Sequence, residues 1–283
     1  MPGPATPSTS RTGAIALESN GHDLSVDPFN ADAASNAGYR YTTNASLSSE
    51  LANRRLTEAS MAVADFGGRR VIDIGCGDGT YTAEIIDVAG AGHVTALDPA
   101  LAALTVARER VAGRPVTLTA ASAYALPYRD TSFDIAYLRG VLHHMDHPDQ
   151  ALSEALRVAS VVVVVEPNGY NPALKLLERY STYHVEHGEK SYPPRRLDRW
   201  IEQRGGQIDK RMYAGLVPMF CPDWMARVLK GAEPLFEQVP GARAVGCAVY
   251  VFSAVGRGGR SVASPSSAQS LSTGSTSRRA RRR

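Results

Sequence analysis

The chain has little cysteine, no long apolar run and, over its last 27 residues, no acid. The three cysteines in 283 residues, Cys76, Cys221 and Cys247, are odd in number and widely spaced. Without a Cys-x-x-Cys pair they exclude a disulfide framework and a thiolate zinc site, and they fit a reducing compartment. No stretch approaches the roughly 18 apolar residues that span a bilayer. Val161 to Val165 is far too short, so membrane insertion is not expected. The opening Met1-Pro2-Gly3-Pro4-Ala5-Thr6-Pro7 has neither a basic nor an apolar region. A secretion signal is therefore not expected, and the cytoplasm is the expected location.

Acid is missing from residues 257–283, which carry Arg257, Arg260, Arg278, Arg279, Arg281, Arg282 and Arg283. Without these seven charges the net charge of +3 becomes −4. A mildly acidic folded part is not built to track phosphates, so nucleic acid is not an expected partner of the fold. The tail alone can attract nucleic acid or an anionic membrane. Its Ser, Gly and Arg content predicts a disordered, solvated segment, and residues 1–27, rich in Pro, Ser, Thr, Gly and Ala, read the same way. Residues 28–256 are left to form one domain.

Within that domain, apolar positions at helical spacing predict a helix over Ser46 to Phe66, stopped by Gly67-Gly68. A strand at 71–74 follows, then helices at 80–88, 101–111 and 150–158 alternate with strands at 93–97, 116–119, 132–138 and 161–166. Several strands are apolar throughout, which indicates a parallel sheet covered on both faces. Later come a helix at 193–203, a strand at 207–213, a helix at 222–229 and a strand at 244–254. The predicted fold is α/β: a Rossmann-like, doubly wound, mostly parallel seven-stranded sheet with an antiparallel C-terminal edge strand. Residues 168–192 and 214–241 hold Tyr170, Tyr180, Tyr183, His184, Tyr192, Phe220 and Trp224, and are nominated as substrate cover.

Three cues fall at strand ends. Asp73 precedes a loop in which Gly75, Gly77 and Gly79 alternate. Side chains at Gly75 and Gly77 would keep a ligand off the backbone, and glycine accepts the positive φ of a tight strand-to-helix turn. Asp98 ends the next strand, where a carboxylate can grip both ribose hydroxyls. Leu126-Pro127-Tyr128 stands ahead of Phe133-Asp134. Ligands of open parallel sheets bind outside the carboxyl ends of the strands, where all three cues lie.

In these residues the chain resembles the class I S-adenosylmethionine-dependent methyltransferases, in particular the type-11 group of small-molecule enzymes, over about residues 40 to 255. Val71 to Thr80 looks like the family's first motif and Thr95 to Asp98 like its ribose-binding strand end. Leu126 to Asp134, then Val141-Leu142-His143-His144, resemble its later segments, and Val163 to Asn168 its fifth-strand exit. The resemblance implies S-adenosylmethionine as cofactor and a small-molecule methyl acceptor. It implies that Asp73 orients the loop and helps to hold the methionine amino group, that Gly75 and Gly77 let that moiety approach, and that Asp98 binds the ribose. Ser122, where many relatives have an acid, and Ala123 become adenine neighbours. Tyr41 or Arg55 would reach the methionine carboxylate.

Methyl transfer from a sulfonium is a direct displacement governed by alignment. A base matters when the acceptor is a hydroxyl, and His143 and His144 are the candidates. Arg139 and Glu166, also at strand exits, are candidates for orienting the acceptor. His143, His144 and His147 lack a carboxylate partner at ligand spacing, so no metal is expected. A nicotinamide-dependent oxidoreductase would need Gly-x-Gly-x-x-Gly, and here the third glycine comes one residue early, at Gly79. A non-catalytic S-adenosylmethionine-binding module is the alternative from another class. A nucleic-acid methyltransferase rests on the tail alone.

Overall fold

The computed structural model describes residues 26–43, 45–181 and 190–256. Both predicted end segments lie almost wholly outside the described residues, as do Tyr183 and His184 of the nominated cover. Before the glycine loop come α1 (Asp27–Asn36), α2 (Arg40–Thr43) and α3 (Leu47–Val63). The first two were not anticipated, because this polar, Ala-rich stretch has almost no apolar periodicity. Ser46 caps α3 by accepting the Ser49 N–H at 3.2 Å. Ala52, Leu56, Ala59 and Val63 form the buried stripe of α3.

Then β1 (Arg70–Ile74), α4 (Thr80–Asp87), β2 (His93–Asp98), α5 (Leu101–Arg110), β3 (Val116–Ala120) and β4 (Phe133–Arg139) follow in alternation. A 3-10 turn (Leu142–His144), α6 (Pro148–Val158), β5 (Ala159–Pro167), α7 (Pro172–Tyr180), α8 (Pro194–Gln203) and β6 (Gly206–Ala214) come next. The described chain closes with α9 (Asp223–Gln238), α10 (Pro240–Gly246) and β7 (Val249–Gly256). The predicted final strand began too early. Residues 240–246 wind into α10, whose last carbonyls are held by the Asn168 amide, which donates to Ala244 at 2.9 Å and Cys247 at 3.0 Å.

The strands order as β3-β2-β1-β4-β5-β7-β6. Strands β1 to β5 are mutually parallel, and β7 runs antiparallel to both β5 and β6. The expected antiparallel C-terminal strand is present, paired with β6, which forms the outermost edge. Val161 to Val165 are all buried in β5, as a strand covered on both faces requires. One face packs Ala151, Leu152, Ala155, Leu197 and Ile201 from α6 and α8; the other packs Leu56, Ala59, Val63 and Ile85 from α3 and α4. The order reverses between β1 and β4, so the carboxyl ends of these two strands flank the crevice where such sheets bind ligands.

Candidate functional site

The loop after β1 needs its glycines. Gly75, Gly77 and Gly79 have φ of +77°, +53° and +78°. A Cβ on Gly75 would lie 2.6 Å from Val141 Cγ2, and one on Gly77 2.4 Å from Tyr39 Cε2. Two side chains thus already use the close approach that the glycines permit. The loop hangs on β2: Gly75 and Cys76 N–H donate to the Leu97 carbonyl at 2.8 and 2.9 Å.

Asp98 is a structural hub as well as a candidate ligand. Its Oδ2 accepts the Gly77 N–H at 2.9 Å and its Oδ1 the Ala100 N–H at 2.8 Å. Burial pushes its pKa up to about 6, against the pull of these two N–H groups. Each oxygen keeps a further lone pair for a ligand hydroxyl. Asp73 is buried behind the loop and accepts the Thr82 hydroxyl at 2.6 Å. Burial pushes it up to about 7, with the Thr82 bond pulling the other way. Cys76 is buried, and burial raises its thiol well above the ordinary value, so it is inert as a nucleophile.

Sequence reasoning missed Asp78, although it stands inside the loop. Its Oδ2 lies 2.6 Å from Arg110 Nη1 and accepts the Tyr39 N–H at 3.0 Å and the Thr42 hydroxyl. Burial alone would raise its pKa; the Arg110 bond and its neighbours outweigh that and hold it below the usual carboxylate range. Asp78 therefore ties the α1–α2 segment to the loop. Tyr39 comes down on Gly77, and burial, then Asp98 and Asp78, push its phenol up. Phe29 of α1 bridges Tyr39, at 6.2 Å between ring centroids, and His144, at 5.0 Å. The faint signal was the pair Phe29 and Tyr39 in an otherwise polar stretch.

The upstream candidates, Tyr41 and Arg55, have partners of their own. Tyr41 packs on Phe220, with ring centroids 5.3 Å apart, while Tyr39 takes the place over the loop. Arg55 is committed elsewhere. Its guanidinium bonds Glu237, lies 3.9 Å from Glu233, and faces α9 rather than the glycines.

Ser122 and Ala123 follow β3, whose end pairs with that of β2 at Asp98 and Ala120. Ser122 Oγ accepts the Tyr124 N–H at 3.3 Å, and Ala123 is buried. Further on, Leu126 and Tyr128 are held by α6. Glu154 accepts the Leu126 N–H at 2.8 Å, and Arg157 donates to the carbonyls of Leu126 and Tyr128 at 3.0 and 2.7 Å.

At the ends of β4 and β5 the structure separates the candidates. Glu166, buried, accepts the N–H groups of Val141, Leu142 and His143 at 2.9, 2.8 and 3.2 Å. Its Oε2 also lies 2.8 Å from His143 Nδ1. Glu166 thus orients His143 rather than an acceptor. The His144 ring leans on that of His143, with centroids 3.9 Å apart. Arg139 turns to the opposite face of the sheet, where it donates to Thr57 at 2.8 Å and lies 3.5 Å over the Tyr81 ring. It cannot touch an acceptor at the His143 side. Of the nominated aromatics, Tyr192 is core, stacked edge-on to Trp200 at 4.8 Å, while Tyr180 and Trp224 point outward. Among the described residues no group of three or more His, Cys, Asp or Glu could hold a metal.

An S-adenosyl cofactor fits these residues: acids at the ends of β1 and β2, a glycine turn of positive φ between them, and a buried wall at Ala123.

Residues 72–161 match the family model described as "Methyltransferase domain". A demethylmenaquinone methyltransferase of Clavibacter sepedonicus is 38% identical over 98 residues, 34% of this chain and 39% of the relative. The O-methyltransferase rstn1 of Aspergillus nomiae is 34% identical over 115 residues, 38% of this chain and 50% of the relative. The chain thus spans half or less of these relatives' length. Among solved structures, one from the complex of the Haloferax volcanii Trm112 methyltransferase activator with a methyltransferase superposes with a TM-score of 0.59 at 16% identity. That superposition covers 80% of this chain and 96% of the other. Residues 72–161 are thus similar to the methyltransferase-domain family, and the chain shares its Rossmann-like fold with that solved structure.

Proposed function

We propose that the protein is an S-adenosylmethionine-dependent methyltransferase that alkylates a hydroxyl of a small organic acceptor. The observation that carries this reading is the Glu166–His143 pair at the strand exits beside the glycine loop. A carboxylate fixed by three N–H groups holds His143 Nδ1 at 2.8 Å. It favours the tautomer in which Nδ1 bears the proton and Nε2 is the acceptor. Nε2 is then the atom that takes the acceptor's hydroxyl proton as the oxygen forms its bond to carbon.

When bound, the cofactor supplies an electrophilic methyl group on sulfur. Asp98 would hold its ribose hydroxyls, Asp73 its amino group through the loop, Gly75 and Gly77 the close backbone approach, and Ser122 and Ala123 the adenine edge. Tyr39 and Phe29, tied down through Asp78, would exclude water above them, and His144 would support His143 by ring contact. Residues 168–192 and 214–241 would cover the acceptor, within a domain over 28–256. The names of the two relatives, one for a demethylated quinone and one for O-methylation, support a small organic acceptor.

The test is turnover with methyl-labelled cofactor against a panel of phenols and aliphatic alcohols. Transfer to at least one, lost in His143→Gln while cofactor binding persists, is the expected result. Binding without transfer to any acceptor would favour the non-catalytic module. No binding would remove both readings.

A further inference from the structure

Helix α9 has apolar residues on two faces and turns two of its acids inward. Its acids Glu233 and Glu237 face the protein: Glu233, 2% exposed, accepts the Leu216 N–H at 2.9 Å and pairs with Lys230 at 2.6 Å. Glu237 accepts the Gly215 N–H at 3.0 Å and binds Arg55. Met225 and Leu229 pack inward beside Ala226, but a second set of apolar residues faces water. Trp224, Val228 and Leu235 are 69%, 64% and 72% exposed, and with Gly231 they stand at i, i+4, i+7 and i+11, one narrow stripe of the helix. Phe220, just before the helix, and Val239, just after it, extend the stripe at both ends.

An apolar stripe of this length on a helix that already has its polar contacts inside is a surface awaiting a partner. Charge selects which one. The helix carries an exposed cation, Arg227, beside the stripe, and its exposed acid is Asp223 in the first turn. The 27 residues that follow β7 in sequence add seven arginines and no acid. A span of that many residues can reach about 90 Å when extended, enough to touch whatever α9 touches. We infer that α9 lies on an anionic phospholipid surface, its Trp224–Val228–Leu235 stripe in the headgroup boundary and the arginines of 257–283 on the lipid phosphates. A shallow apolar helix face and a polybasic segment are each weak anchors, and stable adsorption takes two such signals together. Nucleic acid would use the arginines but leave the stripe in water. No helix among the described residues is long and apolar enough to cross a membrane, so the contact is adsorption to one leaflet.

The experiment is co-sedimentation of the full chain with vesicles of equimolar phosphatidylglycerol and phosphatidylcholine, and with phosphatidylcholine alone, followed by tryptophan emission. The chain is expected to bind the anionic vesicles, with release by salt and a blue shift that Trp224→Phe removes. Trp224→Ser, Val228→Ser and Leu235→Ser together, on an exposed face, should lower the partition at least about tenfold. Loss of the arginines (all seven to Gln) should lower it comparably. Wild-type partition in the triple variant, a blue shift that persists in Trp224→Phe, or no preference for anionic vesicles would overturn the inference. So would light scattering that shows a dimer which the triple variant dissolves, since the stripe would then belong to a second copy.

Discussion

The two flanks of the sheet use acids in opposite directions. At the β1–β2 end, Asp73, Asp78 and Asp98 gather around a strand-exit loop; Asp78 and Asp98 accept its N–H groups or those beside it, while Asp73 takes the Thr82 hydroxyl behind it. At the far end, Glu233 and Glu237 also accept backbone N–H groups, those of Leu216 and Gly215, yet they reach them from a helix that turns its charges inward. Buried N–H groups must find acceptors in both places. Where the acceptors come from the strand ends, their spare lone pairs face a crevice and make a site. Where they come from a covering helix, the acids share the inner face with Met225, Ala226 and Leu229, and an apolar stripe is left outside.

The largest effect should come from breaking the pair that separates His143 from His144. His143→Gln is expected to lower kcat by about a hundredfold to ten-thousandfold. The same change at His144, which packs its ring on that of His143, should cost far less. Equal losses would show that Glu166 does not select the base.

The far end answers to stability rather than to ligand. Arg55→Gln leaves Glu233 and Glu237 without their guanidinium, at a cost of about 3 kcal/mol in unfolding free energy. Affinity for S-adenosylhomocysteine should stay within about twofold, because Arg55 faces α9. A large loss of affinity would return Arg55 to the cofactor site.

A smaller effect is expected at Gly75→Ala. The new Cβ would meet Val141 at 2.6 Å on a backbone with φ of +77°. Overpacking and a left-handed alanine together should cost about 2 kcal/mol, read from chemical denaturation. Val141→Ala in the same chain should recover part of it; no recovery would mean that the contact is not the cause.

The smallest is a pH effect at the acid-rich end. Burial raises Asp98 to about 6 and Asp73 to about 7, so both are largely neutral in acid and charged above neutrality. Affinity for the cofactor's amino and hydroxyl groups should therefore rise about tenfold from about pH 5.5 to about pH 8. Stability of the free protein should move the other way: the folded state holds protons that the unfolded chain has released, so it loses stability as pH rises from about 4 towards 7. Calorimetry and melting at matched pH values separate the two slopes, and a flat affinity profile would speak against Asp73 and Asp98 as ligands.

How much was legible follows the same division. The strands and the loop at 71–80 could be read because glycine spacing, strand-end acids and apolar runs report backbone demands that are local in sequence. The register that brings Glu166 onto His143 was not legible, because it depends on β4 and β5 lying side by side. Arg55 and Arg139 were misplaced for a related reason: a helix or strand position does not say which face a long side chain will take. Helix α7 was not anticipated within the nominated cover, although Asn171 accepts the Ala173 N–H at 2.9 Å and Pro172 starts the helix. Asn-Pro signals a turn as readily as a cap. The exposed stripe of α9 was hidden because its periodicity is that of an ordinary amphipathic helix; only burial shows that Met225 and Leu229 pack inward while Trp224, Val228 and Leu235 face out.

Titration of the purified chain with S-adenosylhomocysteine, wild type beside Asp98→Ala, tests the central claim most directly. One site per chain in the wild type, weakened at least about tenfold by loss of Asp98, is the predicted result. No binding by the folded wild type, or equal binding by the variant, would contradict the assignment of the loop at 71–80 and Asp98 to the methyl donor.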